Sequence, residues 1–190
     1  MRCEIVCIID RSGSMATIRE DAIGGFNTFL EDQQKVEGEA NLTFIQFDTD
    51  YEVVHENLPL MDVPPLNKST FQPRGSTALL DAIGKTIDNV GKRLDNMQEK
   101  NKPEKIIVAI LTDGEENSSR QYNLQTVKEM ITHQREKYQW EFIFLGANQD
   151  AFAEASKIGI ASEDTFNFDT TSLGVTVAYA DMSKRTKSYR

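Results

Sequence analysis

Apolar positions along the chain alternate between two rhythms. The stretch "CEIVCII" (3–9) is apolar throughout except at Glu4, the pattern of a strand covered on both faces in a parallel sheet. In 16–35, Ile18, Ala22, Phe26 and Leu30 recur every fourth residue and give one apolar helical face. Gly24-Gly25 inside that run points to close packing on the sheet. "LTFIQF" (42–47) and "YEVVHE" (51–56) read as strands joined by Asp48-Thr49-Asp50, a link short enough for a hairpin, so the second is antiparallel and at an edge. Residues 57–76 hold Pro59, Pro64, Pro65 and Pro73 and lack periodicity, as surface or site-building loops do. From "PRGSTALLDAIG" onward, Leu80, Ile83, Ile87, Val90, Leu94 and Met97 follow at threes and fours and predict an amphipathic helix to about residue 100. "KIIVAILTDGEEN" (105–117) repeats the opening layout of an apolar strand ending in a polar turn. A helix carrying Leu124, Val127, Ile131 and Tyr138 follows, then a strand at 140–145, a short helix at 151–159, a strand at 164–168 and a last helix over 170–187.

Strands alternating with helices, several of them apolar on both faces, predict a doubly wound α/β sheet with helices on both sides. No internal repeat, low-complexity segment or linker interrupts the 190 residues, so residues 1–190 read as one domain. A composition 39% hydrophobic and 27% charged is that of an ordinary globular protein. The net charge of -9 repels phosphate backbones and anionic membranes, which argues against nucleic acid or membrane as partner. The basic tail "KRTKSYR" is a short local exception, read as the solvated end of a helix. No apolar run nears the roughly 20 residues that span a bilayer, and the N-terminus enters a strand without a signal-peptide layout; a cytoplasmic protein is expected. Cys3 and Cys7 stand four apart on one strand, too far to bridge at about 3.3 Å per residue. They read as buried thiols of a reducing compartment.

In this architecture ligands bind at the carboxyl ends of the strands, where strand order reverses. Asp10, Ser12 and Ser14 follow the first strand, Asp113 follows the other very apolar one, and Thr77 opens the helix after the proline-rich loop. Two carboxylates and three hydroxyls, without imidazole or thiolate, suit a hard divalent cation: Mg²⁺ first, with Mn²⁺ or Ca²⁺ as alternatives. Alternation lets positions 10, 12 and 14 point one way while Arg11 and Gly13 point elsewhere. Each residue also has a local explanation. Ser14 suits a cap on the first helix, Ser76 or Thr77 a cap on the second, and Asp113 a turn before Gly114. Their convergence at three strand ends favours the metal.

"DRSGSM", "RGSTALLDAIG" and "LTDGEEN" together resemble the metal-ion-dependent adhesion site (MIDAS) of von Willebrand factor type A domains. That pattern is Asp-x-Ser-x-Ser, a later Thr and an Asp after a later strand, and all five positions are filled. "FIFLGANQDA" is similar to bacterial and phage members of the family, of intracellular type. The resemblance implies a Rossmann-like, mostly parallel six-stranded sheet with one antiparallel edge strand and a metal at its top. It also implies that the serines and threonine touch the metal, that the aspartates act directly or through water, and that a partner protein's carboxylate completes the shell.

Other residues carry two readings each. Glu115 and Glu116 are solvated rim acids or hold a metal-bound water; Arg11 and Arg74 receive an acidic partner or pair with those glutamates. Asp81 suits the positive end of its helix dipole, His55 and His133 have no second ligand candidate nearby, and Trp140 reads as core. An aspartate ending a first strand is also similar to haloacid-dehalogenase-type phosphatases, so a Mg²⁺-dependent hydrolase using Asp10 is the alternative function. That chemistry needs an acid/base carboxylate two residues on, and position 12 is Ser. A phosphate-binding glycine loop with its lysine, a Ser-His-Asp arrangement and a zinc motif are all missing from the sequence. The favoured reading is a non-enzymatic module that binds another protein through an acidic group; its oligomeric state stays open.

Overall fold

In the computed structural model, which describes residues 2–147 and 150–190, the strands are β1 (Arg2–Asp10), β2 (Glu39–Phe47), β3 (Tyr51–Pro59), β4 (Lys105–Thr112), β5 (Glu141–Ala147) and β6 (Thr165–Phe168). They form one sheet in the order β3-β2-β1-β4-β5-β6. All pairings are parallel except that of β3, which runs antiparallel to β2 at the edge. Five α-helices pack on it among the described residues: α1 (Arg19–Gln34), α2 (Leu79–Asp95), α3 (Leu124–Tyr138), α4 (Ala151–Lys157) and α5 (Ser172–Tyr189).

The unbroken apolar strands have a simple cause. Alternate side chains of β1 enter opposite cores: Ile5, Cys7 and Ile9 meet Phe26 and Phe29 of α1 and Tyr179 and Met182 of α5. Val6 and Ile8 enter the layer with Ile83 and Ile87 of α2 and Val127 and Ile131 of α3. Both thiols are buried and free. Trp140, just ahead of β5, is buried as core.

Several local expectations shift. The first helix does not start at residue 16: a 3₁₀ stretch, Gly13–Ile18, precedes α1. Met15 and Ile18 anchor that tight turn in the core, which keeps the polar residues before them bunched at the end of β1. The second helix stops at Asp95, where Asn96 turns its amide back to the Lys92 carbonyl at 2.9 Å. Met97, although on the apolar spacing, therefore lies past the helix. The proline-rich loop is fastened through Leu60, Val63, Leu66 and Phe71, all buried, and Asn27 of α1 grips both the N–H and the carbonyl of Leu66. The basic tail closes α5 with Lys184, Lys187 and Ser188 exposed, as a solvated helix end would, but three of its cations are also tied down. Arg185 pairs with Asp164, Lys187 with Asp32, and Arg190 donates to the Gln33 carbonyl. Asn148 and Gln149 of "FIFLGANQDA" lie outside the described residues. Among the described residues no helix is long and apolar enough to cross a membrane.

Candidate metal centre

Sheet order reverses between β1 and β4, and the two aspartates stand there: Asp10 ends β1 and Asp113 follows β4. Asp10 is fully buried. One of its carboxylate oxygens accepts the Ser12 N–H at 2.6 Å and the other accepts the Thr112 hydroxyl at 2.7 Å. The Ser14 hydroxyl donates to Asp113 Oδ1 at 2.7 Å, and the Ser12 hydroxyl lies 3.2 Å from Ser14 Oγ and 3.5 Å from the same Asp113 oxygen. Ser12, Ser14 and Asp113 thus form one cluster, with Asp10 joined through the Ser12 amide. Ser12 stands at the N-cap of the 3₁₀ stretch but makes no side-chain capping bond.

Thr77 reaches the cluster through two loops. The Gly13 N–H donates to the Gly75 carbonyl at 3.1 Å and the Arg74 N–H to the Arg11 carbonyl at 2.8 Å, a two-rung ladder joining the first loop to the second. A Cβ at Gly13 would lie 3.4 Å from Gly75 O, and Gly75 itself has φ of +67°, a left-handed turn that glycine adopts without cost. The Thr77 main chain is held at both ends by Asn117 of the third loop: its N–H donates to the Asn117 side-chain Oδ1 at 2.9 Å, and its carbonyl accepts the Asn117 N–H at 3.1 Å. Its hydroxyl is 3.4 Å from where a Gly114 Cβ would stand. All five oxygen-bearing residues therefore come to one place, buried except for Ser14.

The third loop is held by acids on or against α2. Glu116 accepts the N–H groups of Ser118, Ser119 and Leu80 and the Ser119 hydroxyl, so it is a structural clamp and not a solvated rim residue. Asp81, in the first turn of α2, accepts three successive N–H groups from Arg120, Gln121 and Tyr122 at 2.8 to 3.0 Å. Glu115 is exposed. Arg11 and Arg74 do not pair with either glutamate. Arg11 is buried against Asp48, Gln46 and Glu52, and Arg74 bonds Asp48 with its second ion pair to Asp50. Their partners sit on the β2–β3 hairpin, far away in sequence and with no motif to announce them. The run Asp48-Thr49-Asp50 reads only as a turn until the fold brings it beside the first loop. His55 lies half-buried against Phe44, and His133 is exposed beside Tyr138.

Burial pushes Asp10 up to about 6, opposed by the Ser12 and Thr112 hydrogen bonds and reinforced by the Asp113 charge. Burial likewise raises Asp113 against its bonds from Ser14 and Ser12. Two neighbouring buried carboxylates whose donors are all neutral leave negative charge for a cation to offset. The available oxygens are hard donors, and among the described residues no group of three or more His, Cys, Asp or Glu side chains gathers into a metal cluster of its own. A divalent ion that accepts hydroxyl and carboxylate ligands fits this donor set.

The sequence model for the von Willebrand factor type A domain matches residues 4–179. No curated protein matches the chain. Among solved structures, proximal thread matrix protein 1 from the mussel byssus aligns with a TM-score of 0.65 at 15% identity, over 98% of this chain and 46% of that one. The same protein with its MIDAS motif occupied by zinc aligns at a TM-score of 0.64 and 14% identity, with the same shares. The vWF domain of the type V pili tip protein Mfa5 from Porphyromonas gingivalis aligns at 0.69 and 8% identity, over 99% and 96% of the two chains. This chain thus spans a little under half of the mussel protein, and identities this low speak for the fold alone.

Proposed function

The chain belongs to the von Willebrand factor type A family, whose members are generally adhesion or protein-interaction modules, and from that premise we propose that it is a metal-dependent protein-binding module with an intact MIDAS. The observation that carries this reading is the meeting of Ser12, Ser14 and Asp113 within 3.5 Å, across about a hundred residues of sequence, with Asp10 and Thr77 fastened to the same cluster. Asp10, Ser12, Ser14, Thr77 and Asp113 would hold the ion, and Mg²⁺ suits the donors best. When bound, the cation supplies a positive centre for a partner's carboxylate.

The protein's own groups prepare that event. Ser14 is the solvent-facing member of the cluster and marks the side of approach. Asp10 stays back with both carboxylate oxygens occupied by Ser12 and Thr112, an arrangement that orients a neighbouring hydroxyl instead of presenting a nucleophile. Position 12 is Ser, so the acid/base carboxylate that hydrolysis through Asp10 needs two residues on is replaced by a hydroxyl, which favours binding over hydrolysis. Arg74 and Glu115 are exposed beside the loops and form the rim a partner would meet, whereas Arg11 is committed to the hairpin.

Calorimetric titration of the folded protein with Mg²⁺ or Mn²⁺ tests the reading. One site is expected, lost in Asp10→Ala and Asp113→Ala proteins that keep their circular dichroism. A folded wild type that takes up neither ion would sink it. A pull-down with and without chelator then identifies the partner, whose capture should require the metal.

A further inference from the structure

We propose that Asp48 is the positioning residue of the metal site: it touches none of the five oxygen-bearing side chains, yet it sets cation affinity by locking the first loop to the second. The inference rests on the metal reading above. Asp48 is buried at the β2–β3 turn, and its Oδ2 accepts from Arg11 Nε at 2.8 Å and from Arg74 Nε at 3.1 Å. Arg11 lies between Asp10 and Ser12; Arg74 is three residues ahead of Thr77. The Asp48 carbonyl accepts the N–H of Ala78, the residue after Thr77, at 3.0 Å. Its remaining carboxylate oxygen accepts the Asp50 N–H at 2.7 Å, which holds the turn so that the carboxylate faces both loops.

One residue therefore grips the first loop beside Ser12 and the second loop on both sides of Thr77. The grip is firm because the Arg11 side chain is 7% exposed and that of Asp48 1%. A guanidinium deprived of a buried partner must reorganise or draw in water. Arg11 would keep the neutral Gln46 and, at the open end, Glu52, neither of which bonds Arg74. Groups that orient metal ligands without touching the ion typically change affinity by about 10- to 100-fold.

Two variants separate positioning from simple electrostatics. Asp48→Asn removes a negative charge, which by field alone weakens cation binding. Arg74→Gln removes a positive charge, which by field alone tightens it. Arg74 is 60% exposed, so its replacement leaves folding intact even if Asp48→Asn does not. Mn²⁺ titration of the full chain, with folding checked by circular dichroism, should show Asp48→Asn weaker by about tenfold or more. Arg74→Gln should be weaker by about threefold, and the double variant within about twofold of Asp48→Asn, because both changes cut the same link. Unchanged or tighter binding in Arg74→Gln, or wild-type affinity in a folded Asp48→Asn protein, would overturn the proposal while leaving the metal reading standing. No Mn²⁺ uptake by wild type would overturn both.

Discussion

Ser14 and Asp81 look alike in the sequence, as residues suited to a helix start, and they do different work. Ser14 leaves the helix end alone and turns to Asp113, ninety-nine residues away. Asp81 keeps its place in the first turn of α2 and also gathers three N–H groups of the third loop. Burial disfavours the Asp81 charge, but those three N–H groups outweigh it and hold its carboxyl below the ordinary range. A folded-state pKa below the unfolded value means stability that is full above about pH 4 and is lost as pH falls through the depressed value. Asp81→Asn, with one acceptor oxygen in place of two, is expected to cost about 1 to 3 kcal/mol at pH 7. It should also flatten the fall in stability below pH 4. Urea midpoints of wild type and variant at pH 7 and pH 3 check both parts, and equal losses at the two pH values would contradict them.

Two helices meet at one of a pair of neighbouring glycines that the sequence pattern could not rank. Gly24 and Gly25 are neighbours in α1, and both look like packing glycines. A Cβ at Gly25 would lie 2.2 Å from the Tyr179 ring of α5, whereas one at Gly24 would meet nothing within 4 Å. Gly25→Ala should therefore push α5 off α1 and destabilise by about 1 to 3 kcal/mol. Gly24→Ala should stabilise by about 0.5 to 1 kcal/mol through helix propensity alone. Chemical denaturation of the two single variants gives opposite shifts in midpoint if this packing is right. The second helix shows a related limit. Its threes-and-fours spacing runs on to Met97, but Asn96 turns the chain after Asp95, and a periodicity cannot see the cap that interrupts it.

For the molecule as a whole, a cation that binds the folded site and not the unfolded chain must stabilise it by mass action. At a hundredfold excess over Kd the gain is about 2.7 kcal/mol, read as a rise in melting temperature on adding Mn²⁺, reversed by chelator and missing in Asp113→Ala. The sequence by itself determined the α/β alternation, the antiparallel edge hairpin and the five oxygen-bearing residues at three loops. These follow from local periodicity and from chain reversals at the ends of strands. Only the tertiary structure decided that Arg11 and Arg74 face the hairpin acids and not the glutamates of the third loop, that Glu116 and Asp81 clamp that loop to α2, and that Arg185, Lys187 and Arg190 of the basic tail find partners. Such pairings join residues tens of positions apart, here the Arg11 guanidinium with Asp48 and the Arg120 main-chain N–H with Asp81. Which carboxylate an arginine meets is set by how buried layers pack, because a charge leaving water must take whatever partner the packing brings within reach.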